Sequence, residues 1–268
     1  MKIAFTSDIH FPITNIIQLR NLIQLIKKEN PDIVVLAGDI AESRTDDTFL
    51  GIVLNEFRVY FNKVLVLAGN HDLWNSPKYS TIELWDTIIE KTCDKHGCFY
   101  LERSNYIFDD ICFVGSYMHY DYSAKDTVGP CSSFSNKYWQ INKGKVNNDG
   151  HYMSIFDDIE FANRICNDFM NRLDSATNNV SIKKIVVATH VPCLEEQMTR
   201  KPFDFNWSVG TPYFGNLTYQ DKINNNDKIV CVVSGHSHRK CYNKNVRGRE
   251  VFVIESDYKK PQFVCITL

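Results

Sequence analysis

The chain of 268 residues is 44% hydrophobic and 23% charged, with a formal net charge of −2. That length suits one domain, or two small ones, around a large buried core. The near-neutral balance excludes a global positive field able to hold nucleic acid or an anionic membrane, so either would depend on a local patch.

No apolar run approaches the ~20 residues of a membrane span, and no signal-peptide core precedes the first strand. The nine cysteines are odd in number and form no Cys-x-x-Cys pair, so no disulfide framework is expected. Cys112, Cys231 and Cys265 lie in strand-like runs and read as small buried hydrophobes. The expectation is a soluble, cytoplasmic protein with no membrane partner.

In chain order, Lys2 to Thr6 reads as a strand leading to Asp8-Ile9-His10. Asn15 to Asn30 carries a helical stripe of Ile16, Leu19, Leu22, Ile23 and Ile26 before Pro31. Ile33 to Ala37 is a continuous apolar run, as in a strand buried on both faces, and ends at Gly38-Asp39. Thr45 to Phe61 reads as a helix, and Val64 to Ala68 as a strand ending at Gly69-Asn70-His71-Asp72. Ser76-Pro77 is expected to open a helix running to about Asp94. This alternation predicts an α/β fold with parallel strands and right-handed crossovers, whose ligands gather beyond the strands' carboxyl ends.

The second half is richer in strands. Tyr106 to Phe108 and Ile111 to Gly115 suit a hairpin, and Ile155 to Leu173 a helix. Ile185 to Ala188 leads to His190, and Ile229 to Val233 to Gly235-His236-Ser237-His238. Short strands follow at Cys241 to Asn245, Val251 to Ile254 and Phe263 to Ile266. Two aromatic-rich segments, 116–154 and 191–216, lack a clear period and read as irregular loops beside the site. They serve either as substrate walls or as packing on the core. All of 1–268 is expected to form one domain.

Five of the eight histidines sit in motifs at the ends of strand-like runs. Carboxylates, neutral imidazoles and an amide oxygen are ligands for hard or borderline cations. Asp8 and His10 are two residues apart in an extended segment and share a face, as do His236 and His238. Asp39, with two carboxylate oxygens, is the natural bridge between two ions. Two ions ~3.5–4 Å apart neutralise a phosphate, activate a bound water and align in-line displacement.

The order D-x-H, G-D, G-N-H-D, H, G-H-x-H, from Asp8 to His238, resembles that of the calcineurin-like metallophosphoesterase superfamily. The resemblance implies a four-layer α-β-β-α sandwich of two mixed sheets with flanking helices, and a dimetal site at strand C-terminal ends. It implies one metal on Asp8, His10, Asp39 and His238, and a second on Asp39, Asn70, His190 and His236. It makes His71 the non-ligand histidine that protonates the leaving oxygen, with Asp72 orienting it. The activity implied is hydrolysis of phosphoesters by in-line attack of a metal-bridging hydroxide. The cofactors are two divalent or trivalent ions, Mn, Fe or Zn.

The substrate expected is a phosphoester, small or nucleotide-like, as in a phosphodiesterase or a phosphatase. Asp39 is followed by Ile40-Ala41-Glu42-Ser43 and not by the Gly-Asp-x-x-Asp-Arg continuation of protein phosphatases. A nuclease would use the basic run Arg239, Lys240, Lys244, Arg247 and Arg249, which equally suits a charged hairpin at a sheet edge. A non-catalytic protein-interaction module is the rival from another class, opposed by the complete ligand set. His96, His119 and His151 match no motif, and His119 is read as an exposed loop histidine.

Overall fold

The structure is a computed structural model; it describes all residues except 240 and 245–247, and residues 242–244 by their backbone alone. In chain order it contains β1 (Lys2–Thr6), α1 (Ile16–Lys28), β2 (Ile33–Ala37), α2 (Phe49–Arg58), β3 (Val64–Leu67) and the single turn α3 (Asn70–Leu73). Next come α4 (Thr81–Glu83), a π-helical turn (Leu84–Ile88), α5 (Ile89–Lys95), β4 (Phe99–Tyr100), β5 (Tyr106–Phe108) and β6 (Ile111–Ser116). Then follow α6 (Asn136–Val146), α7 (Asp149–Tyr152), α8 (Asp158–Asn178), β7 (Lys184–Thr189), α9 (Phe205–Ser208) and α10 (Gln220–Asn224). The last strands are β8 (Ile229–Ser234), β9 (Cys241–Lys244), β10 (Glu250–Val253) and β11 (Phe263–Thr267).

One sheet has the order β11-β1-β2-β3-β4, the other β5-β6-β7-β8-β10-β9. In the first, β1 to β4 are parallel and β11 is antiparallel to β1. In the second, β6, β7, β8 and β10 are parallel, with antiparallel β5 and β9 at the edges. The parallel arrangement read from the first half is therefore correct, and both sheets are mixed.

The period of two assigns the layers. Ile33, Val35 and Ala37 of β2 face the interior between the sheets, with Phe113, Val186 and Val233 of the other sheet. Val34 and Leu36 point the opposite way, into the cluster that holds Leu19 and Ile23 of α1 and Val53 and Phe57 of α2. On the far side α8 packs on β6, presenting Phe161, Ile165 and Phe169. Sandwiching between sheet and helices explains why β2 is fully buried and unbroken in its apolarity.

Several helix boundaries differ from those read in the sequence. The helix expected from Thr45 starts at Phe49, because Thr45 and Asp46 fold back onto Glu42 O and the Asp46 carboxylate accepts from Thr48. The helix expected from Ser76-Pro77 starts at Thr81. Ser76 spends its hydroxyl on the amides of Lys78 and Tyr79, while Ser80 and Glu83 form the true capping box. Segment 116–154 is not irregular throughout: it holds α6 and α7, whose period was invisible because α6 buries only Trp139 and Lys143. Segment 191–216 contains only single turns. β4, two residues long, was not recognised.

The layer between the sheets is tight at Gly115, where an added Cβ would lie 2.5 Å from Leu67 Cδ2 and 2.7 Å from Leu101 Cβ. Gly115→Ala is therefore expected to overpack the inter-sheet layer and cost about 1–3 kcal/mol. Urea unfolding checks this, and an unchanged midpoint would show that the layer can yield.

Candidate metal centre

Each candidate ligand follows a strand directly. Asp8 and His10 come after β1, Asp39 after β2, Asn70 after β3, His190 after β7, and His236 and His238 after β8. The turns at these ends are tight: Asp8, His10, Asp39, His236 and His238 all have positive φ, between 50° and 67°. Left-handed backbone is costly for side chains other than glycine and persists where surrounding bonds over-determine it. Here the Asp8 amide donates to Gly38 O at 3.0 Å and the His10 amide to Asp39 O at 2.9 Å. The His71 amide donates to Asp39 Oδ1 at 2.8 Å, and the His236 amide to Asp8 Oδ1 at 2.9 Å. Of the glycines at the strand ends, Gly38 has positive φ. Gly69 is needed for space instead, since a Cβ there would meet Asp39 Oδ1 at 2.2 Å.

All the expected residues converge. Asp39 lies at the centre, 3.6 Å from His10 Nε2, 3.4 Å from His190 Nε2 and 3.9 Å from His71 Nε2. His238 Nε2 lies 3.5 Å from Asp8 Oδ1. Asn70 Oδ1 sits 3.1 Å from both His190 Nε2 and His236 Nδ1. Asp8, His10 and His238 can bring one donor atom each within 4.8 Å of one another, as can Asp8, Asp39 and His190.

The outward nitrogens are already engaged. His10 Nδ1 meets Glu42 Oε1 at 2.9 Å, His190 Nδ1 donates to Ala37 O at 3.0 Å, and His236 Nε2 donates to Tyr213 O at 2.8 Å. Fixing one ring nitrogen leaves the other oriented as a lone-pair donor. The inward His10 Nε2 is buried without a hydrogen-bond partner. A buried imidazole nitrogen with no hydrogen-bond partner, facing a buried carboxylate, is a donor set suited to a cation, so the residues fit metal ions.

The electrostatics agree. Burial raises Asp39, yet His190 and His71 outweigh it and hold the carboxyl well below its usual range. Burial disfavours charge on His71 and His190, but Asp39 beside them lifts both to about 9. Burial and the neighbouring His190 push His236 down to about 4. Burial also raises Glu42, but its bonds to His10 and His71 bring it to about 2.

Asp72 does not contact the His71 ring. Its carboxylate accepts from the backbone amides of Gly69, Ile40 and Ala41, at 2.8 to 3.1 Å, and ties the Asp39 turn to the Asn70 turn. Burial and the nearby Asp39 raise it to about 7. The partner of His71 is Glu42, whose Oε1 lies 2.8 Å from Nδ1. Sequence reasoning missed Glu42; the one available signal was an acid three residues after Asp39.

Other expectations need correction. His119 is fully buried, with Nε2 2.7 Å from Asp158 Oδ1 and Nδ1 2.9 Å from the Tyr117 hydroxyl. The Asp158 carboxylate that compensates it also takes the Lys143 ammonium at 2.7 Å. Tyr120, Tyr122, Trp139 and Tyr213 pack on one another as a separate core cluster, so most of the aromatic wall is core. Arg249 is buried, with its guanidinium on the carbonyls of Ile223, Asn224 and Asn226, and adds nothing to a surface patch. Lys240 and Arg247 lie outside the described residues. Described cysteines are all free thiols, and among the described residues no helix is long and apolar enough to cross a membrane.

A cavity of ≈ 330 Å³ opens on the centre, lined by Asp39, Asn70, His71, Trp74, His236 and Tyr258 among others. A larger cleft of ≈ 960 Å³ between β10 and β11 shares, among the described residues, only His238 with it.

The profile of the calcineurin-like phosphoesterase family matches residues 1–240. The chain belongs to this family. It is thus a metallophosphoesterase, an enzyme of metal-dependent phosphoester hydrolysis in a family with a dinuclear metal centre. Similar solved structures include a phosphopantetheinyl hydrolase from Mycobacterium tuberculosis, 19% identical, TM-score 0.72, covering 96% of this chain and 90% of that one. The protein TT1561 of Thermus thermophilus is 9% identical with a TM-score of 0.56, covering 96% and 90%. A dimetal phosphatase from Danio rerio is 12% identical with a TM-score of 0.52, covering 99% and 91%. These likenesses show the fold of this metallophosphoesterase. No curated protein matches the sequence.

The raised His71 and His190 fix a pH dependence. Without metal, protons bound near Asp39 contribute stability that is complete below pH 6.5 and lost as pH rises to about 9. A cation on His190 requires its neutral imidazole, so in the loaded protein the His190 share of that loss should be absent and stability should fall less over the same window. Thermal unfolding should show a shallower fall between pH 6.5 and about 9 in loaded than in stripped protein; equal slopes would count against cation binding at His190.

Proposed function

We propose that one cation is held by Asp8, His10, Asp39 and His238, and a second by Asp39, Asn70, His190 and His236. The observation that carries this is the centre's polarity. The Asn70 oxygen and the inward nitrogens of His10, His190 and His236 surround Asp39, while the outward nitrogens are engaged elsewhere. Nitrogen and oxygen donors without thiolate suit Mn, Fe or Zn. When bound, the pair supplies charge neutralisation at phosphate oxygens and an activated water.

The chain's own groups do the rest. His71 faces the cavity with Nε2, while Nδ1 is held by Glu42 and the ring stacks on Trp74 with centroids 3.6 Å apart. Glu42 accepts from Nδ1 at 2.8 Å and so favours the protonated imidazole, whose Nε2–H donates its proton to the leaving oxygen. Asp72 braces the two turns and takes no part in the transfer. The cavity's size and its rings, Trp74, Tyr213, Phe214 and Tyr258, favour a small or nucleotide-like phosphoester. A phosphopantetheinyl hydrolase and a dimetal phosphatase share the fold, which agrees with a phosphoester substrate without choosing its class.

His71→Ala is expected to keep both metals and lower kcat by about 10²- to 10⁴-fold, more for an alkyl ester than for a nitrophenyl ester that leaves without a proton. Equal losses on both esters would refute the acid role. Glu42→Gln removes one of the carboxylates, Asp39 first among them, that raise His71. Activity falls as pH climbs through the acid's pKa, so the alkaline limb of the kcat profile should move to lower pH. Asp39→Asn should keep at most one metal equivalent; two equivalents still bound would contradict the bridge.

A further inference from the structure

Asn70 has two faces that differ chemically, and only the carbonyl oxygen can ligate a cation. Its amide nitrogen lies 2.9 Å from Asp149 Oδ1. Asp149 is fully buried and sits at the first residue of α7, within the segment between β6 and α8. The same Oδ1 accepts from Trp74 Nε1 at 2.7 Å, and Oδ2 accepts from the Tyr120 hydroxyl at 3.0 Å. Tyr152 of α7 also takes the Asn75 amide on its carbonyl at 2.8 Å, so the short helix clamps the whole 70–75 stretch.

We propose that Asp149 is a positioning residue that sets the rotation of the Asn70 amide and, through Trp74, the seat of His71. A carboxylate only accepts, so the side of Asn70 facing Asp149 must be its NH2 group. The oxygen is thereby turned toward His190 Nε2 and His236 Nδ1, at 3.1 Å from each. An amide turned by half a rotation would present N–H groups to the cation and repel it. Trp74, held by the same oxygen, lies against the His71 ring with an interplanar angle of 30°. One buried carboxylate thus serves both halves of the chemistry, the second cation's ligand and the acid. The inference rests on the two-cation reading above.

The test is metal titration of stripped protein, with kcat and KM of the reloaded enzyme and a melting temperature for each variant. Asp149→Ala removes the acceptor; Asp149→Leu does so while keeping most of the volume, should alanine fail to fold. Either is expected to weaken one of the two metal equivalents by about 10- to 100-fold and leave the other at wild-type affinity, with kcat falling and KM little changed. Asp149→Asn retains an amide oxygen able to accept from both donors and should restore the larger part of both losses. Wild-type affinity for both equivalents in the folded acceptor-less variant overturns the proposal. So does an equal loss at both sites that follows the melting temperature, since that is what a merely structural role produces. Fewer than two equivalents in the wild-type protein overturns the two-cation reading itself, and the inference with it.

Discussion

A carboxylate that cannot reach water is the constraint on which the rest depends. Asp39 is almost completely buried, at the place where the strand ends of the two sheets meet. A charge removed from water must be met by opposite charge or by directed donors. Around Asp39 the protein provides one backbone amide and three imidazoles, and lifts two of those imidazoles to about 9. Protons can serve this purpose, and so can cations, because the committed Nδ1 atoms of His10 and His190 leave each Nε2 facing Asp39. The left-handed turns at Asp8, His10, Asp39, His236 and His238 belong to the same arrangement. Strain at these five positions is what brings side chains from both sheets to one point.

The centre is braced by groups that never touch it. Asp72 gathers three amides and locks two turns together. Glu42 holds His10 and His71 through one oxygen, Oε1. The stretch between β6 and α8 packs its own aromatic cluster, with Asp158 paired to His119 and Lys143 beneath it. That stretch is ordered by its own buried charges and reaches back to the centre through α7.

What the sequence made legible has a physical basis. Ile33 to Ala37 and Val64 to Leu67 could be read because strands buried on both faces are unbroken apolar runs, and their ends then carried Asp39 and Asn70. The α1 stripe was likewise plain, and its Asn15 cap falls within a residue of the expected start. Glu42 was not legible as His71's partner, since their contact depends on how two turns lie side by side, 29 residues apart. His119 looked exposed because its partner Asp158 is 39 residues away, at the start of α8. α6 escaped notice because one of its two buried side chains is a lysine, contrary to any apolar stripe. Local periodicity announces a strand or a helix; pairing of buried charges across the fold does not appear in it.

The most direct measurement is turnover as a function of bound metal. Stripped protein would be titrated with Mn²⁺ while bound equivalents are counted and hydrolysis of p-nitrophenyl phosphate and bis-p-nitrophenyl phosphate is followed. The account predicts no turnover in the stripped protein and a rate that rises with the second equivalent. Full turnover with one equivalent bound, or with none, would contradict a centre built around Asp39 for two cations.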